Sequence, residues 1–169
     1  MNDVNWLNEL PPEQAEAEFL KCCGSTAWAK RMTAQRPFSS VAAVLSEADA
    51  VWSTLEVDDW LEAFRCHPRI GEKKAEQQQS AAAKAWSEQE QSGTRDSVQE
   101  VMETLAERNR EYADKFGFIF IVCASGKSAE EMLAILEERL QNEREGELRV
   151  AAEEQSKITQ LRLAKLLEQ

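Results

Sequence analysis

Apolar residues recur at intervals of three and four along nearly the whole chain, the spacing that lines one face of an α-helix. Val4 to Leu10 carries Trp6, Leu7 and Leu10 in this way. Pro11-Pro12 stops that segment, and Pro12 suits the first turn of the next helix, where a missing N–H costs nothing. Ala15, Phe19, Cys22 and Cys23 share its face, and Gly24 ends it. A short helix is predicted over Thr26 to Met32, closed by Arg36-Pro37. Ser39 or Ser40 offers a hydroxyl cap to a helix holding Val41, Val44, Leu45 and Ala48. The pattern continues through Ala48 to Leu55 and Val57 to Phe64, with Trp52, Leu55, Trp60 and Phe64 as core candidates.

His67-Pro68-Arg69-Ile70-Gly71 interrupts this run. Pro68 biases the residue before it away from helical dihedrals, so His67 is expected at or just past a helix end. Glu72 to Trp86 is rich in helix-forming Ala, Gln and Lys but has a thin apolar face, which predicts a surface helix. Ser87-Glu88-Gln89-Glu90 reads as a capping box. The longest clean helix follows, with Val98, Val101, Met102, Leu105, Asn109, Tyr112 and Phe116 in step, and Gly117 ends it.

Phe118 to Cys123 has the β-branched and aromatic composition of a strand, yet no second segment of similar quality is available to pair with it. A lone strand leaves its peptide groups unmet. The segment is therefore expected to be an extended buried connector whose peptide groups are free to bind something. Ser125-Gly126-Lys127-Ser128 turns the chain, and Ser128 caps a helix with Met132, Leu133, Ile135, Leu136 and Leu140 inward. A final helix is predicted from about Glu147 to Leu167. At about 100° per residue, its Leu148, Ala151, Gln155, Ile158, Arg162 and Leu166 form one stripe. Arg162 thus falls on a core-facing side. Either it snorkels at a helix edge, or its guanidinium is aimed at an anionic group inside a pocket.

These elements predict an all-α, single-domain, multi-helix bundle over residues 1–169, with one short extended segment. The length suits one domain with a single core, and 43% hydrophobic residues are enough to fill it. No apolar run reaches the ~20 residues of a membrane span, and the N-terminus lacks a signal-peptide pattern, so the cytoplasm is the expected compartment. A net charge of -11 argues against nucleic acid and anionic membranes as partners. Cys22, Cys23, Cys66 and Cys123 have no C-x-x-C spacing, and a single histidine cannot complete a common zinc set. The cysteines are expected to be small buried hydrophobes and the chain to hold no metal. Phosphate-loop and G-x-S-x-G signatures are absent too.

What remains for chemistry is sparse. His67, on a loop between two breakers, is either an ordinary surface imidazole or one that faces a cleft and titrates near neutrality. Glu90 is either just the capping carboxylate or, with Ser87 and Gln91, part of a polar cluster at a helix start that suits amide-like or urea-like groups.

Four blocks in register carry a resemblance: His67-Pro68-Arg69-Ile70-Gly71; Ser87-x-x-Glu90-Gln91; Phe116 to Phe120 running into Ser125-Gly126-Lys127-Ser128; and Lys157-Ile158-x-x-Leu161-Arg162-Leu163. Together they resemble the 2-oxo-4-hydroxy-4-carboxy-5-ureidoimidazoline (OHCU) decarboxylases, which form (S)-allantoin in urate degradation. The likeness covers nearly the whole chain. It implies an all-helical fold, no cofactor, a small ureidoimidazoline substrate and a homodimer. It implies His67, Glu90 and Arg162 as catalytic residues. Pro68, Ser87, Gln91 and main-chain groups of Phe120, Ile121, Val122, Cys123 and Ala124 would bind substrate. Two other classes stay open on the sequence: a hydrolase of a related ureido compound, and a non-catalytic helical module.

Overall fold

A computed structural model describes residues 2–67 and 99–168. The predicted surface helix at 72–86, the capping box at 87–90, and the site candidates Pro68, Ser87, Glu90 and Gln91 lie outside the described residues. Within them the chain forms helices and no strand: α1 Val4–Glu9, α2 Pro12–Cys22, α3 Thr26–Ala34, α4 Val41–Ser53, α5 Val57–Arg65, α6 Gln99–Phe116, α7 Ala129–Arg139 and α8 Arg144–Leu166. None of the described helices is long and apolar enough to cross a membrane. They gather in two compact units, one of residues 1–63 with 156–169, the other of residues 64–155.

In the first unit, α2 packs on α3 and α3 on α4. Its helix starts are capped by short polar side chains: Asp3 accepts from the Trp6 amide, Ser25 from Trp28 and Ser40 from Ala43. Ser25, directly before Thr26, caps its helix while completely buried. The Glu62 carboxylate adds a second anchor to the start of α3, accepting from Thr26 N and Thr26 Oγ1 at 2.8 Å each. Arg36 closes the other end of α1: its Nη1 donates to Leu7 O at 2.8 Å and Leu10 O at 2.7 Å, where a cation meets orphan carbonyls. Phe19, Trp28 and Met32 fill the centre with no exposure, and the Trp28 indole N–H is satisfied by Ala48 O at 3.2 Å. The last turns of α8 belong to this unit, where Gln160 Nε2 donates to Leu45 O at 2.8 Å.

The second unit is built on α6, α7 and the first part of α8, with α6 packed on α7. Between α6 and α7 runs the extended segment, bracketed by Gly117 at φ 82° and Gly126 at φ 75°. Both turns use the left-handed region that glycine enters without strain. Phe118 and Phe120 set their rings 5.9 and 5.4 Å from Tyr112, and Phe118 also meets Phe64 at 5.6 Å.

Several core assignments need correction. Trp60, Leu133, Ile135 and Leu140 are only half-buried, and the inward face of α7 is Ala129, Met132, Leu136 and Arg139. The helix is short, so a rotation of a few tens of degrees exchanges one stripe for its neighbour. The last helix begins at Arg144, not Glu147, with Gly146 inside its first turn. Cys66 is exposed rather than buried, because it lies in the turn that follows α5. Cys22, Cys23 and Cys123 are buried, and none of the four cysteines forms a disulfide. Burial pushes the Cys22 thiol far above the usual range, although Arg162 acts in the opposite sense. In the native protein a thiol reagent is expected to label Cys66 fast and the other three only after denaturant is added. Labelling of more than one thiol in the native state, followed by intact mass, would contradict this burial pattern.

Candidate active site

His67 stands two residues past the end of α5, as the proline after it requires, with its amide donating to Phe64 O at 3.2 Å. The ring reaches across the second unit to α8, where Nε2 lies 2.5 Å from Gln155 Oε1. Gln155 is completely buried. The next residue back, Glu154, accepts the Cys123 N–H at 3.1 Å. One turn of α8 therefore holds both the histidine and the extended segment.

The segment itself is buried at Phe118 and from Phe120 through Ala124. Its peptide groups are not all free, as the lone-strand argument had expected. Ile121 O accepts from Arg139 Nη1 at 2.6 Å, Cys123 O from Lys127 Nζ at 2.8 Å and Ala124 O from Lys127 N at 3.0 Å. Buried carbonyls demand partners, and neighbouring helices and the following turn supply them. What stays available between Phe120 and Ala124 is narrower: both peptide groups of Phe120 and of Val122, the Ile121 N–H and the Ala124 N–H make no hydrogen bond within the described residues. A donor–acceptor pair on one extended residue suits the edge of a planar heterocycle.

A network beneath the segment fixes its place. Arg139 Nε and Nη2 both reach Glu147 Oε1 at 2.5 Å. The Tyr112 hydroxyl donates to the same oxygen at 2.5 Å, and Asn142 Nδ2 to Oε2 at 3.0 Å. The Arg139 guanidinium lies 4.6 Å from the centre of the Phe120 ring. Glu147 has no exposure and Arg139 is 6% exposed. Burial, with Glu147 adding to it and Arg139 opposing, pushes the Tyr112 hydroxyl far up, so it stays a donor. The sequence reading missed Arg139, although its spacing from Met132 and Leu136 was the signal that could have found it.

Arg162 belongs to the first unit and is buried at 5% exposure, so it does not snorkel. Its Nη1 stands 3.5 Å from Cys22 O, a long contact. The whole predicted stripe, Leu148, Ala151, Gln155, Ile158, Arg162 and Leu166, is buried. The structure thus brings His67 together with the extended segment, adds Gln155 and Glu154 to them, and buries Arg162 in its own unit.

Comparison with known proteins covers both units. The OHCU decarboxylase family matches residues 8–164. Over 154 residues the chain is 42% identical to the uric acid degradation bifunctional protein TTL of Arabidopsis thaliana, covering 91% of this chain and 48% of that protein. The chain thus spans about half the length of that relative, and 32% of the bifunctional protein PucL of Bacillus subtilis. It is 31% identical to the 2-oxo-4-hydroxy-4-carboxy-5-ureidoimidazoline decarboxylase of Amia calva, over 98% of this chain and 95% of that one. A crystal structure of OHCU decarboxylase in the presence of (S)-allantoin aligns with a TM-score of 0.75 at 40% identity, covering 90% of this chain and 98% of that chain. By sequence and by structure, the chain belongs to the OHCU decarboxylase family.

Proposed function

We propose that this chain is a cofactor-independent carboxy-lyase that converts OHCU to (S)-allantoin in urate degradation. The observation that carries this reading is the pairing of a held histidine with an extended segment whose central residue, Val122, offers unused peptide groups. The substrate bears its carboxylate on a ring carbon that also carries a hydroxyl, next to an imine carbon. When the bond to the carboxylate breaks, CO2 leaves and the electron pair forms a double bond between the two ring carbons. The imine nitrogen takes the displaced pair and a proton. The enol so formed then gains a proton on the carbon that bears the ureido group and loses its hydroxyl proton. The substrate supplies its own electron sink, so the protein's work is positioning and proton transfer.

His67 delivers the proton to one face of the ring, because an imidazole with an ordinary pKa of about 6.5 both gives and takes protons near neutrality. Main-chain groups between Phe120 and Ala124 bind the ring edge. Glu90 orients the hydroxyl or ureido group, with Pro68, Ser87 and Gln91 lining the same substrate. Arg162 pairs with a substrate oxygen through its planar fork. The family resemblance supports these roles, and it also supports a homodimer, no metal, and a single catalytic domain running through residues 1–169.

The direct test feeds freshly oxidised urate to protein dialysed against a chelator, and follows CO2 release and optical rotation together. Release of CO2 with a single-handed product is expected. Ammonia in place of CO2 would replace the reading with a ureido hydrolase, and no turnover at all would leave a binding module. Arg162→Lys keeps the charge and loses the fork, so kcat/KM is expected to fall by roughly 10- to 10³-fold, the size of one or two charge-assisted bonds. Unchanged kinetics would remove Arg162 from the substrate. A collapse in Tm with little kinetic change would make it a structural cation.

A further inference from the structure

A buried carboxamide is costly unless it is hydrogen-bonded, so Gln155, completely buried on the stripe it shares with Leu148, Ala151, Ile158, Arg162 and Leu166, has a task beyond filling space. Its oxygen lies 2.5 Å from His67 Nε2. A carboxamide oxygen only accepts, so the nitrogen facing it carries the hydrogen. A neutral imidazole has one N–H, and its other nitrogen is the one that gains and loses the second proton. We propose that Gln155 is a positioning residue for His67: it holds the ring in place and pins the Nε2–H tautomer.

The chemistry of the partner matters as much as its place. A carboxylate at this distance would favour the imidazolium and weaken it as an acid. A carboxamide fixes the direction of the ring without adding charge. Because Glu154 holds Cys123 N–H from the neighbouring position, the histidine and the extended segment share one rigid frame. The catalytic consequence rests on the decarboxylase reading above, whereas the tautomer does not.

His67 is the only histidine, so its ring gives one set of nuclear magnetic resonance signals in the full-length protein. Long-range proton–nitrogen spectra of the wild type are expected to show the Nε2–H tautomer with an Nε2 proton protected from water exchange. Gln155→Leu should lose that protection, lower kcat by roughly 10- to 10²-fold and leave KM within a few-fold, since a ring free to rotate wastes encounters rather than binding. Gln155→Glu should restore the held ring but shift the alkaline limb of the activity profile upward by about one pH unit, because the acid form of His67 then persists longer. It also serves as the control should Gln155→Leu fold poorly. An Nδ1–H tautomer in the wild type, or a Gln155→Leu protein with unchanged proton protection, overturns the proposal. If the spectra behave as stated but no variant or parent releases CO2, the decarboxylase reading falls and the histidine frame stands.

Discussion

His67→Asn is expected to leave the helices and Tm nearly unchanged while lowering kcat on the order of 10²-fold or more. The ring stands past the end of α5 and is half-buried, so no helix depends on it, and an asparagine amide can still meet the Gln155 carboxamide. What is lost is a group that transfers protons near neutrality. Carbon protonation has to occur on one face of a planar enol, and without a positioned acid the proton comes from solvent on either face. The variant should therefore lose product handedness along with rate. Steady-state rates, optical rotation of the product and a thermal melt on the same preparation decide the matter. Activity within a few-fold of the parent, with the product still of one hand, would strip His67 of its role.

Arg139→Met is expected to be the most damaging change to stability, at about 3–5 kcal/mol, the cost of leaving one charge of a buried pair uncompensated. For a chain of this size that is roughly 6–20 °C in Tm. Glu147 would keep Tyr112 and Asn142 as donors but lose its cation at a fully buried position. Ile121 O would lose its partner too, and the extended segment would be released at its middle. Arg139→Met combined with Glu147→Leu removes both charges, so its loss should be well below the sum of the two single losses. Tyr112 adds a pH signature: its hydroxyl is pushed up by burial, so its contribution is present below pH ~10 and disappears as pH rises beyond that. A Tm within a degree or two of the parent for Arg139→Met would mean that the pair is solvated and the segment is held by packing alone.

The helices were legible in the chain because local rules write them. Ser40 and Ser128 cap where their hydroxyls predicted, Gly117 ends α6, and three- and four-residue spacing identified the buried faces of α2, α6 and α8. The strand-like run at 118–123 was identified as an extended buried connector by a counting argument, since no partner strand existed for it. The motif around His67 was visible through the proline that follows it, whereas the stripe on the last helix put Arg162 on a core-facing side and left open whether it snorkels, which its burial in the structure decided. Other features depended on contacts between segments far apart in sequence. Gln155 lies 88 positions from His67, and although the stripe on the last helix turned it inward, nothing local pointed to the ring it meets. Arg139 falls in step with Met132 and Leu136 on its own helix, but its partners Ile121, Tyr112 and Glu147 come from three other segments, so what it binds follows from their convergence. The same holds for which peptide groups of the connector stay unused: hydrogen-bond pairing of an irregular buried segment is set by whatever side chains the surrounding helices bring to it.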